Sequence, residues 1–352
     1  MFYNLRMRPA FNPILINDAF SDPGLFIPFC FQKRALLFDL GEIQTLTAKD
    51  LLKISHIFVT HTHMDHFVGF DTLLRLLLGR DRELHLFGPP GFFKQVEGKL
   101  AGYTWNLVEE FQEHLRLQVT EVWPDKIVSK SYFCREQFKP QAAMTAPFDG
   151  FLLREPSFYV KAMLLDHRIP CLGLALVEDF SINIHKERLQ ELGLPIGPWL
   201  TRFKTALYER RDPRSDFMVT WKEAKESKKE KPFILGELAD KIAQYSPGQK
   251  IVYITDVVYN QENRDRIIEL AQEADHLFIE AAFLDCDRDT ARQKYHLTAR
   301  EAGELANLAK VKRLSTFHYS PRYTHCPEEL EAEAQKAFKG FINPENRRIK
   351  KT

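Results

Sequence analysis

The chain has 352 residues, 44% of them hydrophobic and 28% charged, which is enough to bury a sizeable core in one large domain or two smaller ones and excludes a disordered polymer. Its 49 Lys and Arg against 48 Asp and Glu exclude a uniformly basic coat, so any grip on a polyanion must come from a local patch. The odd, scattered cysteines Cys30, Cys134, Cys171, Cys286 and Cys326 never form Cys-x-x-Cys, which excludes a disulfide framework or zinc ribbon and points to a reducing, cytoplasmic setting.

Residues 1–8 contain no continuous apolar run of the signal-peptide kind, and no stretch reaches the length of a membrane span. Residues 10–30 read as loop, interrupted by Pro13, Pro23, Gly24 and Pro28. Ala35-Leu36-Leu37-Phe38 reads as a core strand ending in Asp39-Leu40-Gly41-Glu42. A second strand, rich in Ile and Val over residues 54–60, runs directly into His61-Thr62-His63-Met64-Asp65-His66. A lone histidine is usually a packed or surface residue. Three imidazoles and a carboxylate within six residues at a strand end are a different matter, because such a loop aims alternate side chains at one point and nitrogen and oxygen donors suit zinc and its neighbours. The spacing therefore marks half of a two-metal site.

Residues 67–78 fit a helix buried on most of its circumference. Residues 83–87 read as a strand stopped by Gly88-Pro89-Pro90-Gly91, and His56 and His85, inside strand patterns, read as structural. Short aromatic and alternating runs over 104–165 suggest antiparallel strands of a second sheet. Met163-Leu164-Leu165 then leads to Asp166-His167. A short helix over 186–192, stopped by Gly193, precedes Ile196-Gly197-Pro198-Trp199. Residues 201–231 hold ten Lys or Arg against six Asp or Glu, with Phe203, Tyr208, Phe217 and Trp221 interleaved. That pattern is either a basic arm that binds phosphates and stacks on bases or a solvated helical insertion with paired charges. Residues 250–254 form a strand that ends at Asp256, and a helix over 264–273 returns to a strand over 276–280. His296 precedes Thr298, a good N-cap for a helix whose Ala302, Leu305 and Ala306 share a face. A last strand runs into His318-Tyr319-Ser320-Pro321-Arg322-Tyr323.

The His-x-His-x-Asp-His cluster, with strand-end His167, Asp256 and His318, resembles the metallo-β-lactamase superfamily. Other motifs resemble its ribonuclease Z branch: Asp39-Leu40-Gly41-Glu42, Gly88-Pro89-Pro90-Gly91, Pro170-Cys171-Leu172-Gly173 after His167, and Glu280-Ala281-Ala282-Phe283, where Ile279 replaces a histidine. Residues 318–323 match the His-x-Ser-x-Arg-Tyr motif that separates ribonuclease Z relatives from most lactamases and glyoxalases. Gly197-Pro198 resembles the tip of the protruding arm with which that family grips tRNA. Two segments depart from the pattern: Asn12-Pro13-Ile14-Leu15-Ile16-Asn17-Asp18 stands where Leu-Gly-Thr-Gly is common, and Ile43-Gln44-Thr45 replaces Gly-Thr-Gln.

The resemblance implies an α/β fold, an αββα four-layer sandwich forming a single catalytic domain over 1–352, with an inserted arm at 185–247 as an RNA exosite carrying Gly197, Pro198, Arg202 and Lys204. It implies two divalent metal ions, zinc first and iron or manganese served by the same ligands. One would be held by His61, His63 and His167 and the other by Asp65, His66 and His318, with Asp256 bridging and Asp39 orienting a ligand histidine from behind. Taken alone, Asp39 also fits a plain strand-to-turn aspartate and His296 a helix-start residue. In the implied reaction a metal-activated water attacks phosphorus, Asp65 accepts its proton, and His296, oriented by Glu280, protonates the leaving ribose oxygen; Ser320 and Arg322 hold the phosphate. The expected function is cleavage of precursor tRNA after the discriminator base by a cytoplasmic homodimer with no membrane contact. The alternatives are a phosphodiesterase acting on a small molecule such as a cyclic nucleotide, a thioester or lactone hydrolase, and a metal-bound RNA-binding protein without turnover.

Overall fold

The apolar runs assemble into two sheets. The structure, a computed structural model, describes residues 10–30, 32–222 and 228–340. The first sheet has eight strands in sequence order: β1 (Ile14–Leu15), β2 (Leu25–Pro28), β3 (Ala35–Phe38), β4 (Ile54–Phe58), β5 (Arg82–Gly88), β6 (Leu115–Val122), β7 (Lys126–Phe133) and β8 (Met144–Pro147). Strands β3 to β6 are parallel, and the flanking strands are antiparallel. Further on come β9 (Phe151–Glu155), β10 (Phe158–Asp166), β11 (Pro170–Glu178), β12 (Phe180–Ile184), β13 (Asp216–Lys222), β14 (Lys228–Ile234), β15 (Ala243–Pro247), β16 (Lys250–Ile254), β17 (His276–Glu280) and β18 (Leu314–Phe317). The second sheet has the order β18-β17-β16-β11-β10-β9, with β16, β17 and β18 parallel.

The central strands are apolar on both faces because both faces are covered. Leu37, Ile57, Leu86 and Leu117 pack beneath the helices Phe70–Leu77 and Phe92–Ala101 through Leu73, Leu74, Phe92 and Val96. The alternate residues point between the sheets, where Phe38 meets Phe58 at 5.5 Å and Tyr253 at 6.0 Å between ring centroids. Helices Gln261–Ala271 and Ala299–Leu308 make the crossovers that parallel β16, β17 and β18 require. The four-layer α/β sandwich expected from the sequence is therefore present. No described helix is long and apolar enough to cross a membrane.

Three local expectations need correction. Residues 10–30 are not wholly loop, since β2 is buried and pairs with β3. The helix expected over 67–78 is two helices, Met64–Phe67 and Phe70–Leu77, so that Asp65 and His66 sit on a helical turn. Strands β6, β7 and β8 belong to the first sheet rather than the second. The helix Phe92–Ala101, which the sequence reading passed over, carries the chain back so that β6 adds parallel to β5.

The chain divides into two compact units, the smaller of which includes residues 153–159 and 177–249 and spans the 185–247 arm. It is a folded body with its own core. An antiparallel pair β12–β15 forms one part, the hairpin β13–β14 another, and Leu189, Trp199, Phe203, Val219, Leu238 and Ile242 are packed together. Phe203 is fully buried and Phe217 and Trp221 pack against the same core, so the interleaved aromatics hold the unit together; the expectation that they stand ready to stack on bases is corrected for these three. Part of the basic run, residues 223–227, lies outside the described residues. Arg202 is exposed and donates to Thr220 Oγ1 at 2.5 Å, Pro198 starts the helix Trp199–Tyr208, and Trp199 Nε1 donates to Pro195 O at 2.8 Å. Lys204 is half-buried; burial lowers its pKa and the charge of Glu178 opposes the drop.

Glu178 itself is buried, and burial pushes its carboxyl up to about 7 although the Gln249 N–H donates to it at 3.3 Å. Between its ordinary value of 4.5 and about 7 the folded chain keeps a proton that the unfolded chain releases, so folding stability falls as pH rises through that window. Glu178→Gln removes this loss. The variant is expected to melt higher than the parent at pH 8 and close to it at pH 4.5 in calorimetry. A variant that melts lower than the parent at pH 8 would mean that the carboxylate is stabilising there and that the sign is wrong.

Candidate metal centre

The site residues sit where strands end at one edge of the larger unit. Beyond β4 the chain passes through fully buried Val59 and Thr60 into His61 and His63, then into the turn of helix that carries Asp65 and His66. His167 follows β10, Asp256 follows β16 and His318 follows β18. Several of these strands are left through the left-handed backbone region: Asp39 has φ 59°, Arg168 61°, Asp256 42° and His318 59°. A non-glycine residue there costs on the order of 1 kcal/mol, and the turn it makes swings the side chain toward the common centre.

Three groups of donors result among the described residues, the third of which, Asp256, Glu280, His296 and His318, overlaps the other two through Asp256 and His318. His61, His63, His167 and Asp256 bring one ligand atom each within 4.8 Å of one another, as do Asp65, His66 and His318. His61 Nε2 lies 3.0 Å from His63 Nδ1 and 3.5 Å from Asp256 Oδ2, which is also 3.6 Å from His167 Nε2. In the second group Asp65 Oδ2 lies 3.4 Å from His66 Nε2 and 3.2 Å from His318 Nε2. Asp256 joins the groups, because Oδ2 is also 3.4 Å from His66 Nε2 while Oδ1 is 3.3 Å from His318 Nδ1. All seven predicted ligands thus converge, with Asp256 in the bridging place.

Electrostatics and hydrogen bonding fit cations at this point. Burial pushes the His61 imidazole down to about 2 and also lowers His63, so both are neutral with a lone pair to offer. Burial works against charge on Asp65 and Asp256, yet the neighbouring His66 and His318 hold both carboxylates well below the usual range. His66 Nε2 and His318 Nδ1 are buried without a hydrogen-bond partner. A buried donor or acceptor left so costs about 1–3 kcal/mol, a penalty that metal coordination removes. Imidazole and carboxylate donors of this number and geometry fit a pair of divalent ions, and the chain is a divalent-metal-binding protein.

Behind the ligands stand the groups that orient them. Asp39 is fully buried and accepts from His66 Nδ1 at 2.9 Å, from Thr60 N at 2.7 Å and Oγ1 at 2.9 Å, and from the Tyr253 hydroxyl at 3.1 Å. Its carboxylate thus meets His66 from behind, and with φ 59° it also occupies the strand-to-turn position. His167 Nδ1 donates to the carbonyl of Tyr295 at 2.7 Å, which leaves Nε2 for the centre. Glu280, buried, accepts from His296 Nδ1 at 2.9 Å and from Val257 N at 2.7 Å. Burial opposes charge on His296, but Glu280 outweighs it and raises the imidazole to about 9. His296 also precedes a capping box between Thr298 and Glu301, so its position as helix-start residue and its place in the site coexist.

A cavity of about 290 Å³ opens beside the centre, lined among others by Asp65, His296, His318, Ser320, Phe283 and Lys294. Arg322 stands one ring away: its guanidinium pairs with Asp287 at 3.2 Å and lies 5.4 Å from the centroid of Phe283. His56 and His85, read as structural, stack at 4.5 Å on adjacent strands of the first sheet. The sequence reading missed Thr60, Tyr253 and the Tyr295 carbonyl, which act through atoms that carry no motif. It also missed Lys294 and Phe20–Asp22 on the cavity wall. The proximity of Lys294 to His296 in the sequence was the one available signal.

Asp39→Asn tests the orienting role, because asparagine tolerates the left-handed backbone while its amide can present a donor to His66. Metal affinity is expected to fall roughly 10- to 100-fold. Metal analysis and titration of the apoprotein check this, and a parent-like affinity would remove Asp39 from the metal centre.

Comparison with known proteins agrees with this geometry. Residues 239–319 match the family described as beta-lactamase superfamily domain. Curated proteins named Ribonuclease Z align over most of the chain: 29% identity with that of Deinococcus radiodurans, covering 86% of this chain and 88% of the relative, and 30% with that of Picosynechococcus sp., covering 87% and 83%. Among solved structures, the metallo-beta-lactamase fold protein YhfI from Bacillus subtilis superposes with TM-score 0.52 at 15% identity, covering 94% and 95% of the two chains. A long form RNase Z from yeast superposes with TM-score 0.51 at 11% identity, covering 92% of this chain and 39% of that one. These two show the fold. The shared length, the metallo-β-lactamase fold and the convergence of all seven expected ligands lead to one conclusion: the chain belongs to the ribonuclease Z family of metal-dependent hydrolases.

Proposed function

We propose that this protein is a tRNA 3′-processing endoribonuclease that cuts precursor tRNA after the discriminator base and leaves a 3′-hydroxyl. The observation that carries the reading is the likeness to ribonuclease Z proteins over most of both chains, together with His318, Ser320 and Arg322 in the family's own motif. The nitrogen-rich ligand set favours zinc, with iron and manganese accepted by the same donors. We further propose a cytoplasmic homodimer, and the folded 177–249 unit with Gly197, Pro198 and Arg202 as its RNA-binding arm; Lys204, half-buried near Glu178, has the smallest part in it.

Bound divalent ions supply Lewis-acid polarisation of a phosphate oxygen and an acidified water. The chain's own groups do the rest. Asp65, ionised at the cavity edge, accepts the proton of the attacking water. His296, kept protonated by Glu280, gives its proton to the departing 3′-oxygen. Glu280 is a positioning residue: one oxygen fixes the imidazole and the other is locked by Val257 N at 2.7 Å. Ser320 lines the cavity where the phosphate sits, and the Arg322 fork, released from Asp287, supplies a bidentate partner for its oxygens.

His296→Ala is expected to slow RNA cleavage by roughly 10²- to 10⁴-fold while slowing bis(p-nitrophenyl) phosphate much less, because nitrophenolate leaves without a proton. The acid form is the active one, so the parent's rate falls as pH rises and the imidazolium deprotonates. That limb is expected near the value of about 9 to which Glu280 raises the imidazole. Equal losses on both substrates would show that His296 does not act as the acid.

The deciding experiment is cleavage of a 3′-extended precursor tRNA beside bis(p-nitrophenyl) phosphate, with metal content assayed and a chelated control. Chelator-sensitive cutting at the discriminator is the expected result. Turnover of the diester with an uncut tRNA would move the substrate to a small phosphodiester.

A further inference from the structure

The N-terminal segment just after residues 12–18, where the sequence parts from the ribonuclease Z pattern, forms one wall of the catalytic cavity. Phe20, Ser21 and Asp22 line it together with Asp65, His296 and His318. The wall is tightly built. Asn17 Nδ2 donates to Asp22 O at 2.7 Å and to Glu42 O at 2.8 Å, and Asp18 Oδ1 accepts from Phe20 N and Ser21 Oγ at 2.9 Å each. Tyr319 N, on the loop after β18, donates to Ala19 O at 2.7 Å, and the Phe20 ring meets Tyr319 edge-on at 5.5 Å. Gly41 permits the fit: a Cβ there would lie 2.5 Å from Asp65 O and 2.6 Å from Pro23 O, so the wall and the metal loop meet backbone to backbone.

Within this ordered wall the carboxylate of Asp22 makes no hydrogen bond to any described residue. A carboxylate beside a phosphodiester site is a liability unless something in the substrate donates to it, since the ionised diester carries no donor and repels it. The group that RNA brings next to every internucleotide phosphate, and DNA does not, is the 2′-hydroxyl, which can donate. We propose that Asp22 is a specificity-determining residue that accepts a hydrogen bond from the 2′-hydroxyl of the nucleotide whose 3′-oxygen leaves, so that the site reads ribose at the cut. The inference rests on the endoribonuclease reading above. It gives the divergent residues 12–18 a task as well, since Asn17 and Asp18 brace the wall that carries Asp22. Because the wall is preorganised, the contact costs little ordering of the protein when substrate binds.

The test compares kcat/KM on a 3′-extended precursor tRNA with kcat/KM on the same RNA carrying one 2′-deoxynucleotide immediately 5′ of the cut. The parent protein is expected to prefer the ribose substrate by roughly 10- to 100-fold, the size of a hydrogen bond to a charged group. Asp22→Ala should bring the ratio near one, chiefly by slowing the ribose substrate, and Asp22→Asn, which keeps an acceptor of nearly the same shape, should retain part of it. Melting temperature and metal content of both variants establish that they are folded and loaded. An Asp22→Ala ratio equal to the parent's overturns the inference while the RNA reading stands. If the parent hydrolyses bis(p-nitrophenyl) phosphate and leaves the RNA intact, the RNA reading is overturned and this inference with it.

Discussion

The buried carboxylate of Asp39 is the interaction on which the rest of the centre depends. Its two oxygens take hydrogen bonds from the end of β4, from a metal-ligand imidazole and from Tyr253 in the opposite sheet. One charged group thereby joins both layers of the sandwich to the loop that carries four ligands. Fully buried, it has no water to fall back on, so the donors around it must stay where they are. The tautomer of His66 follows, and with it the direction of the lone pair that faces the site.

The strand ends meet the centre by a shared device. Asp39, Asp256 and His318 each adopt a left-handed backbone immediately or shortly after a strand, and Arg168 does so immediately after His167. Such turns are unfavourable singly and are sustained because the strands behind them, β3 and β16 above all, are anchored in the buried core of the sandwich. The stability of the core and the geometry of the site are thus one matter. A core that loosened would let these turns relax into the ordinary right-handed region and would pull the ligands apart.

The two units use their side chains differently. The expected metal ligands, His296 and Glu280 all belong to the larger unit, most of them at the ends of its strands. The smaller unit has its own core, into which Trp199, Phe203, Phe217 and Trp221 pack, while Arg202 stays exposed on its surface. The N-terminal segment belongs to the larger unit, carries no ligand of its own, and is pinned between the metal loop and the loop after β18.

What the sequence by itself determined was the donor chemistry and the strands that deliver it. His61-Thr62-His63-Met64-Asp65-His66 and the strand-end His167, Asp256 and His318 were legible because metal ligation demands particular side chains and buried strands demand continuous apolar runs. Sheet membership was not legible. The runs over 104–165 look the same whether β6 joins the first sheet or the second, and only the crossover helix Phe92–Ala101 decided it. The same holds for Phe203, which as a letter fits a stacking platform and in the fold is core, and for Tyr253, which as a letter is core and in the fold holds Asp39. Side-chain type is local information; which face it turns to, and which distant backbone atom it meets, is fixed only when all the buried surfaces are closed together.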